Sequence, residues 1–93
     1  MLYIRRVRVA KPGTHNHHIT AVQYSTTPHG TMTDETTETM VRLVDTVTQV
    51  CSHNDQTGAE AAVKTRIGPS GRKYITTVAD GRESNNLLEL PRF

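Results

Sequence analysis

Three histidines within four residues, His15, His17 and His18, form the densest group of metal-ligating side chains in this 93-residue chain. Cys51 and His53 make a second, looser pair. Neutral imidazole and thiolate are good zinc ligands. Metal sites usually hold such ligands in pairs on rigid elements, as Cys-x-x-Cys or His-x-x-x-His. Here the three histidines share one loop, and the single cysteine would have to supply the soft ligand. The simpler reading leaves His15 and His17 solvated and uses His18 to satisfy a backbone group at the start of a strand. No metal and no cofactor are therefore expected. The string His15-Asn16-His17 does not indicate a nuclease, because catalytic motifs of that name are spread over a hairpin and a helix.

Nucleophilic chemistry has little to draw on. Cys51 falls at the end of a predicted helix and on its apolar stripe, where burial and the helix C-terminus both raise a thiol pKa. His53 is two residues away, but adjacency in sequence does not make a dyad. Asp34, Glu35 and Glu38 gather at the helix start, where the dipole favours negative charge and water solvates it. No Gly-x-Ser-x-Gly elbow occurs. Gly68-Pro69-Ser70-Gly71 is too short for a phosphate loop and lacks the Lys-Ser/Thr ending. With no convergent acid, base and nucleophile, the chain is not expected to be an enzyme.

The basic residues offer more. Lys64 and Arg66 share one face of a strand, Arg72 and Lys73 flank the following turn, and Arg6 and Arg8 on the first strand could join them. Such a sheet face neutralises phosphates and would bind nucleic acid with steep salt dependence. Only four aromatics are present, so stacking on single-stranded bases is poorly supported. The competing reading is a solvated face, or contact with the acidic helix of a neighbouring copy. The last residues are apolar where chain ends are usually polar and frayed. Leu87, Leu88 and Leu90 are expected to supplement the core, and Phe93 is left for a partner. Asp80-Gly81 reads as a tight turn, and Asn86 as a side chain that bonds backbone groups where the tail departs.

Elements must position these groups. Residues 2–9 alternate as a strand, with Tyr3, Val7 and Val9 beside Arg5 on one face and Leu2, Ile4, Arg6 and Arg8 on the other. Residues 19–24 form a second strand, paired to the first as an antiparallel hairpin. Thr31 or Thr33 caps a helix that runs to about Cys51, with Met40, Leu43, Val44 and Val47 recurring at helical spacing. Residues 61–67 and 74–78 are two more strands joined by Gly68-Pro69-Ser70-Gly71, a turn in which Pro sets φ and Gly accepts a positive one. The predicted fold class is α+β. It is a small antiparallel sheet, β-β-α-β-β, with one helix on one face and an apolar C-terminal tail over a sheet edge or the open end of the core.

Residues 1–93 make a single domain. The apolar fraction is 34%, and 15 threonines fill much of the gap, so the core is expected to be small. The net charge of +2 hides a pattern: residues 1–30 carry four cations and no acid, residues 31–60 are acidic, and residues 61–93 turn basic again. One cysteine excludes an internal disulfide and fits a reducing compartment. With no span-length apolar run and no signal-peptide pattern, a cytoplasmic location is expected, in a host cell or within a virion.

His18-Ile19-Thr20-Ala21-Val22, Lys73-Tyr74-Ile75-Thr76-Thr77 with Ala79-Asp80-Gly81, and Asn86-Leu87-Leu88 with Leu90-Pro91 together resemble a family of short bacterial and phage proteins, domain of unknown function family 3892. The resemblance spans most of the chain, and its closing motif is the specific part. It implies a small stand-alone domain and supplies no activity, cofactor or catalytic residue. The insertion-like His15-Asn16-His17 and the Thr-rich lead into the helix depart from its pattern. The expected function is a non-catalytic protein-interaction module, bacterial or phage-encoded, that binds a protein partner or itself, with a place in a larger assembly such as a phage particle. The alternative is a nucleic-acid-binding domain using the basic sheet face. Neither a membrane nor a small-molecule substrate is implied.

Overall fold

A computed structural model of the chain describes residues 1–46, 48–79 and 82–93. The expected turn at Asp80-Gly81 and the helix position Val47 lie outside them. The elements run β1 (Leu2–Val9), a 3-10 turn (Asn16–His18), β2 (Ile19–Ser25), β3 (Thr33–Thr36), α1 (Thr37–Asp45), β4 (Val50–His53), β5 (Glu60–Ile67), β6 (Lys73–Ala79) and β7 (Arg82–Ser84). The β-β-α-β-β expectation is overturned. Seven strands form one mixed sheet in the order β3-β2-β1-β4-β5-β6-β7, with β1 and β4 parallel and the other neighbours antiparallel.

The correction comes mostly from the segment read as one long helix. Only nine residues of it are helical. The Thr-rich stretch before it pairs with β2, Tyr24 opposite Thr33 and Ala21 opposite Thr36. Thr36 rather than Thr31 or Thr33 is the cap, its Oγ1 accepting from the Thr39 amide at 3.2 Å. The helix stops where the Thr46 amide and hydroxyl both turn back to the Arg42 carbonyl. Val50 and Cys51 then enter β4 beside Leu2 and Tyr3. All four β4 residues are buried. A strand covered on both faces shows no alternation, so its apolar residues continue a helical spacing equally well.

A second correction concerns β1. Its register against β2 shifts between Ile4 and Arg6, a bulge that leaves Arg5 as the extra residue. One added residue reverses the parity beyond it. Leu2, Ile4, Val7 and Val9 therefore all join the core, and the two apolar pairs do not fall on opposite faces.

The sheet curls around α1. The helix touches β5 and β6 on one side and β2 and β3 on the other, although β1 and β4 separate those pairs in the sheet. Met40 and Val41 bury against Ile4, Val7, Ile19, Val22, Val63 and Ile75. The gap between the two sides is closed by the turn before β2. Asn16, itself buried, donates from Nδ2 to Thr76 Oγ1 at 2.7 Å and to the Ser84 carbonyl at 3.1 Å. No helix among the described residues is long and apolar enough to cross a membrane.

Candidate interaction surface

The six basic residues do not share one face. Lys64 and Arg66 stand exposed on the outer face of β5, opposite Thr76 and Tyr74 of β6. Arg72 is exposed beside them in the turn. That turn is closed by Gly68 N–H to Arg72 O at 2.7 Å and Gly71 N–H to Gly68 O at 3.0 Å, with Gly71 at φ 82° where a side chain would be strained. Lys73 pairs with Ile67 and faces the helix instead, its Nζ 2.8 Å from the Asp45 carboxylate. Thr65 Oγ1 donates to the same carboxylate at 2.7 Å. These two partners, Lys73 first, hold Asp45 below its usual pKa. Arg6 and Arg8 lie on β1, two places across the sheet. β1 runs past the C-terminal end of β4 and β5 past its N-terminal end, so the two basic groups sit toward opposite ends.

β4 is the short member of the sheet, and its shortness exposes an edge. It pairs with β5 only at residues 60–62, and among the described residues no strand continues along residues 63–67. The direction of the backbone groups follows from two bonds. Gly68 N–H bonds to Arg72 O, so residues 66 and 64, in the same phase, bond to β6. Asn54 N–H bonds to Ala59 O, so the odd-numbered residues of this strand turn toward β4. Thr65 and Ile67 therefore aim their amides and carbonyls at the open side. A groove of about 1010 Å³ runs there, walled by Met1, Val44, Asp45 and Val50 across from Val63, Lys64 and Arg66. Met1 and Ile67, the exposed large apolar side chains among the described residues, are 60% and 71% exposed.

β1 runs past the opposite end of β4, and there the edge is filled. Val7 N–H donates to Pro91 O at 3.0 Å and Phe93 N–H to Val7 O at 3.2 Å, an isolated parallel bridge of Arg92 to Val7 on β1. Leu87 and Leu90 are buried in the core cluster and Leu88 packs against it. Phe93 lies under Arg8, whose guanidinium carbon is 4.5 Å from the ring centroid and whose Nε donates to the Phe93 carbonyl. The structure thus places Phe93 on the chain's own Arg8. Asn86 is half-buried in the turn that carries Leu87. Arg92 closes that turn by donating to the Leu88 and Leu90 carbonyls.

The three histidines do come together, with one ring nitrogen from each within 4.8 Å of the others. Their chemistry does not suit a metal. His18 Nδ1 accepts from the Thr14 and His15 amides at 3.1 and 3.2 Å. The neutral ring then carries its proton on Nε2 and has no lone pair left to give. Desolvation, followed by the charges of His17 and His15, lowers the His18 pKa and favours that neutral form. Satisfying backbone groups ahead of β2 is the task the sequence suggests for it.

One polar cluster has no sequence signal. The bulge aims Arg5 at Asp55, fifty residues away, in a bidentate pair with both distances 2.9 Å, and at the Gly30 carbonyl at 2.7 Å. Buried His53 lies between Glu60, 2.7 Å from Nδ1, and Asp55, 3.7 Å from Nε2. A carboxylate behind a histidine is the start of a general base. The far nitrogen, however, faces Asp55, which Arg5 already holds and whose pKa that bond lowers. Cys51, on the same face, is pushed up to about 11 by burial and then by Glu60, so it offers no thiolate. The cluster ties the β4–β5 hairpin to β1 and to the loop at Gly30.

A protein-family model described as "Protein of unknown function (DUF3892)" matches residues 3–91. No curated protein and no solved structure matches the chain.

Proposed function

Since the chain belongs to the DUF3892 family of proteins of unknown function, we propose its role from its geometry: a non-catalytic module that binds another protein through the β5 side of its sheet. The observation that carries this reading is the stretch of β5, residues 63–67, along whose β4 side no strand runs among the described residues. Open strand edges are a liability that proteins usually cover, shorten or twist away. This one lies in a groove beside exposed Ile67 and Met1, with Lys64 and Arg66 on its outer face. A bacterial or phage origin and a place in a larger assembly accord with this reading.

Nucleic-acid binding is the second reading, favoured by the exposure of Lys64, Arg66 and Arg72 on one hairpin. It draws on fewer cations than the sequence suggests, because Lys73 faces Asp45 and Arg8 covers Phe93. Photo-crosslinking from exposed position 70, in the adjoining turn and outside the basic set, in the cell that makes the protein, separates the two. A defined protein adduct is expected. Adducts made mainly of nucleic acid, lost steeply as salt rises, would replace the first reading by the second.

A further inference from the structure

We infer that the open edge of β5 takes an extended acidic segment of a partner protein as an added strand, its side chains alternating between carboxylate and aliphatic. The inference rests on the interaction-module reading and names the chemistry of the partner. Thr65 and Ile67 present the backbone groups that an added strand pairs with. Successive side chains of that strand then point to opposite faces. On the outer face they meet Lys64 and Arg66, which calls for carboxylates. On the inner face they meet Thr65, exposed Ile67 and the groove wall at Val44, which calls for small aliphatic groups. Residues 63–67 accommodate a segment of about five residues, roughly 17 Å at strand rise.

A second copy fits less well. Two β5 strands meeting edge to edge set Lys64 and Arg66 of one copy against the same pair of the other, and like charges on facing positions destabilise such a ladder. Edge lysines also serve to repel stray strands. A guarded edge of that kind has no use for Ile67 standing 71% exposed beside it.

A fluorescein-labelled octapeptide alternating glutamate and valine tests the inference, with a lysine–valine peptide of the same pattern as control. Fluorescence anisotropy at about 50 mM salt, where exposed ion pairs are least screened, reads the affinity, and amide chemical shifts map the site. The glutamate peptide should bind and shift residues 63–67. Lys64→Glu with Arg66→Glu should weaken it by about tenfold or more, since two pairs become two repulsions. Ile67→Pro removes an outward N–H, leaves the β6 ladder whole, and should abolish binding with the melting temperature little changed. The inference is overturned if the glutamate peptide does not bind, if the lysine peptide binds as well, or if the shifts fall elsewhere. It is equally overturned if residues 63–67 shift with protein concentration alone, which would make a second copy the occupant. A protein adduct from position 70 without glutamate-peptide binding would sink only the acidic strand. No protein adduct at all would sink the module itself.

Discussion

Removing residues 91–93 should destabilise the isolated monomer by about 1.5–4 kcal/mol, which is a large part of the roughly 5–15 kcal/mol that holds a domain of this kind together. Two backbone hydrogen bonds go with those residues, Val7 to Pro91 and Phe93 to Val7. Each contributes a net ~0.5–1.5 kcal/mol. The Arg8 guanidinium also loses the Phe93 ring, an interaction of ~0.5–1 kcal/mol at an exposed site. Urea unfolding followed by circular dichroism reads the loss as a lower midpoint at unchanged slope. Thermal unfolding should fall by ~4–8 °C for each kcal/mol. The Val7 amide, now unpaired, should exchange faster with solvent. If the truncated chain unfolded at the parent's urea midpoint and lost only the ability to associate, the tail would belong to an interface, and placing it on β1 would be wrong.

Three further outcomes follow from the site geometry. His18 should titrate below its ordinary 6.5 in an NMR series, because desolvation and then the charges of His17 and His15 disfavour its cation, and protonation would also break the two amide contacts to Nδ1. The depressed folded pKa makes its contribution fully present above 6.5 and lost as pH falls through the folded value; titration at or above 6.5 would contradict the acceptor role. With its pKa at about 11 and its side chain buried, Cys51 should react with iodoacetamide at pH 8 about 100-fold or more slowly in the native state than in urea. Comparable rates would place the thiol in water. Arg5→Ala should cost about 0.5–2 kcal/mol at pH 7, the pair with Asp55 being partly screened. That cost should shrink as pH falls through the lowered folded pKa of Asp55, since a depressed carboxyl stabilises only while ionised. A pH-independent cost would show that the Gly30 contact, not the ion pair, is what the variant loses.

Alternation was legible in β5, whose outer face is wet, and Gly68-Pro69-Ser70-Gly71 carries its own turn chemistry, so the β5–β6 hairpin could be drawn although Ile75, Thr76 and Thr77 of β6 are all buried. The β1–β2 hairpin followed from the pairing of two neighbouring apolar stretches. β4 was not legible, because burial on both faces removes the alternation and leaves a run that continues the spacing of α1. β7 has three residues, fewer than a periodic pattern needs. The bulge in β1 did leave a trace: apolar residues at positions 2 and 4 and then 7 and 9 change parity once, which an inserted residue explains and a flat strand does not. The outward pairing of Lys64 with Arg66 followed from alternation alone. Lys73 was expected beside them, but it pairs with the odd-numbered Ile67 and stands on the helix side, a register that depends on the length of the turn. The open edge itself depends on how far β4 runs beside β5, a tertiary length that no local pattern encodes. Arg5 and Asp55 are fifty residues apart and meet only because the bulge and the β4–β5 hairpin bring them together.

Amide hydrogen exchange along β5 in the free monomer bears most directly on all of this. Lys64 and Arg66, bonded into β6, should be protected, while Thr65 and Ile67, aimed at the groove, should exchange at close to unprotected rates. Protection of Thr65 and Ile67 equal to that of their neighbours would mean that the edge is already paired, and no strand from a partner could be added there.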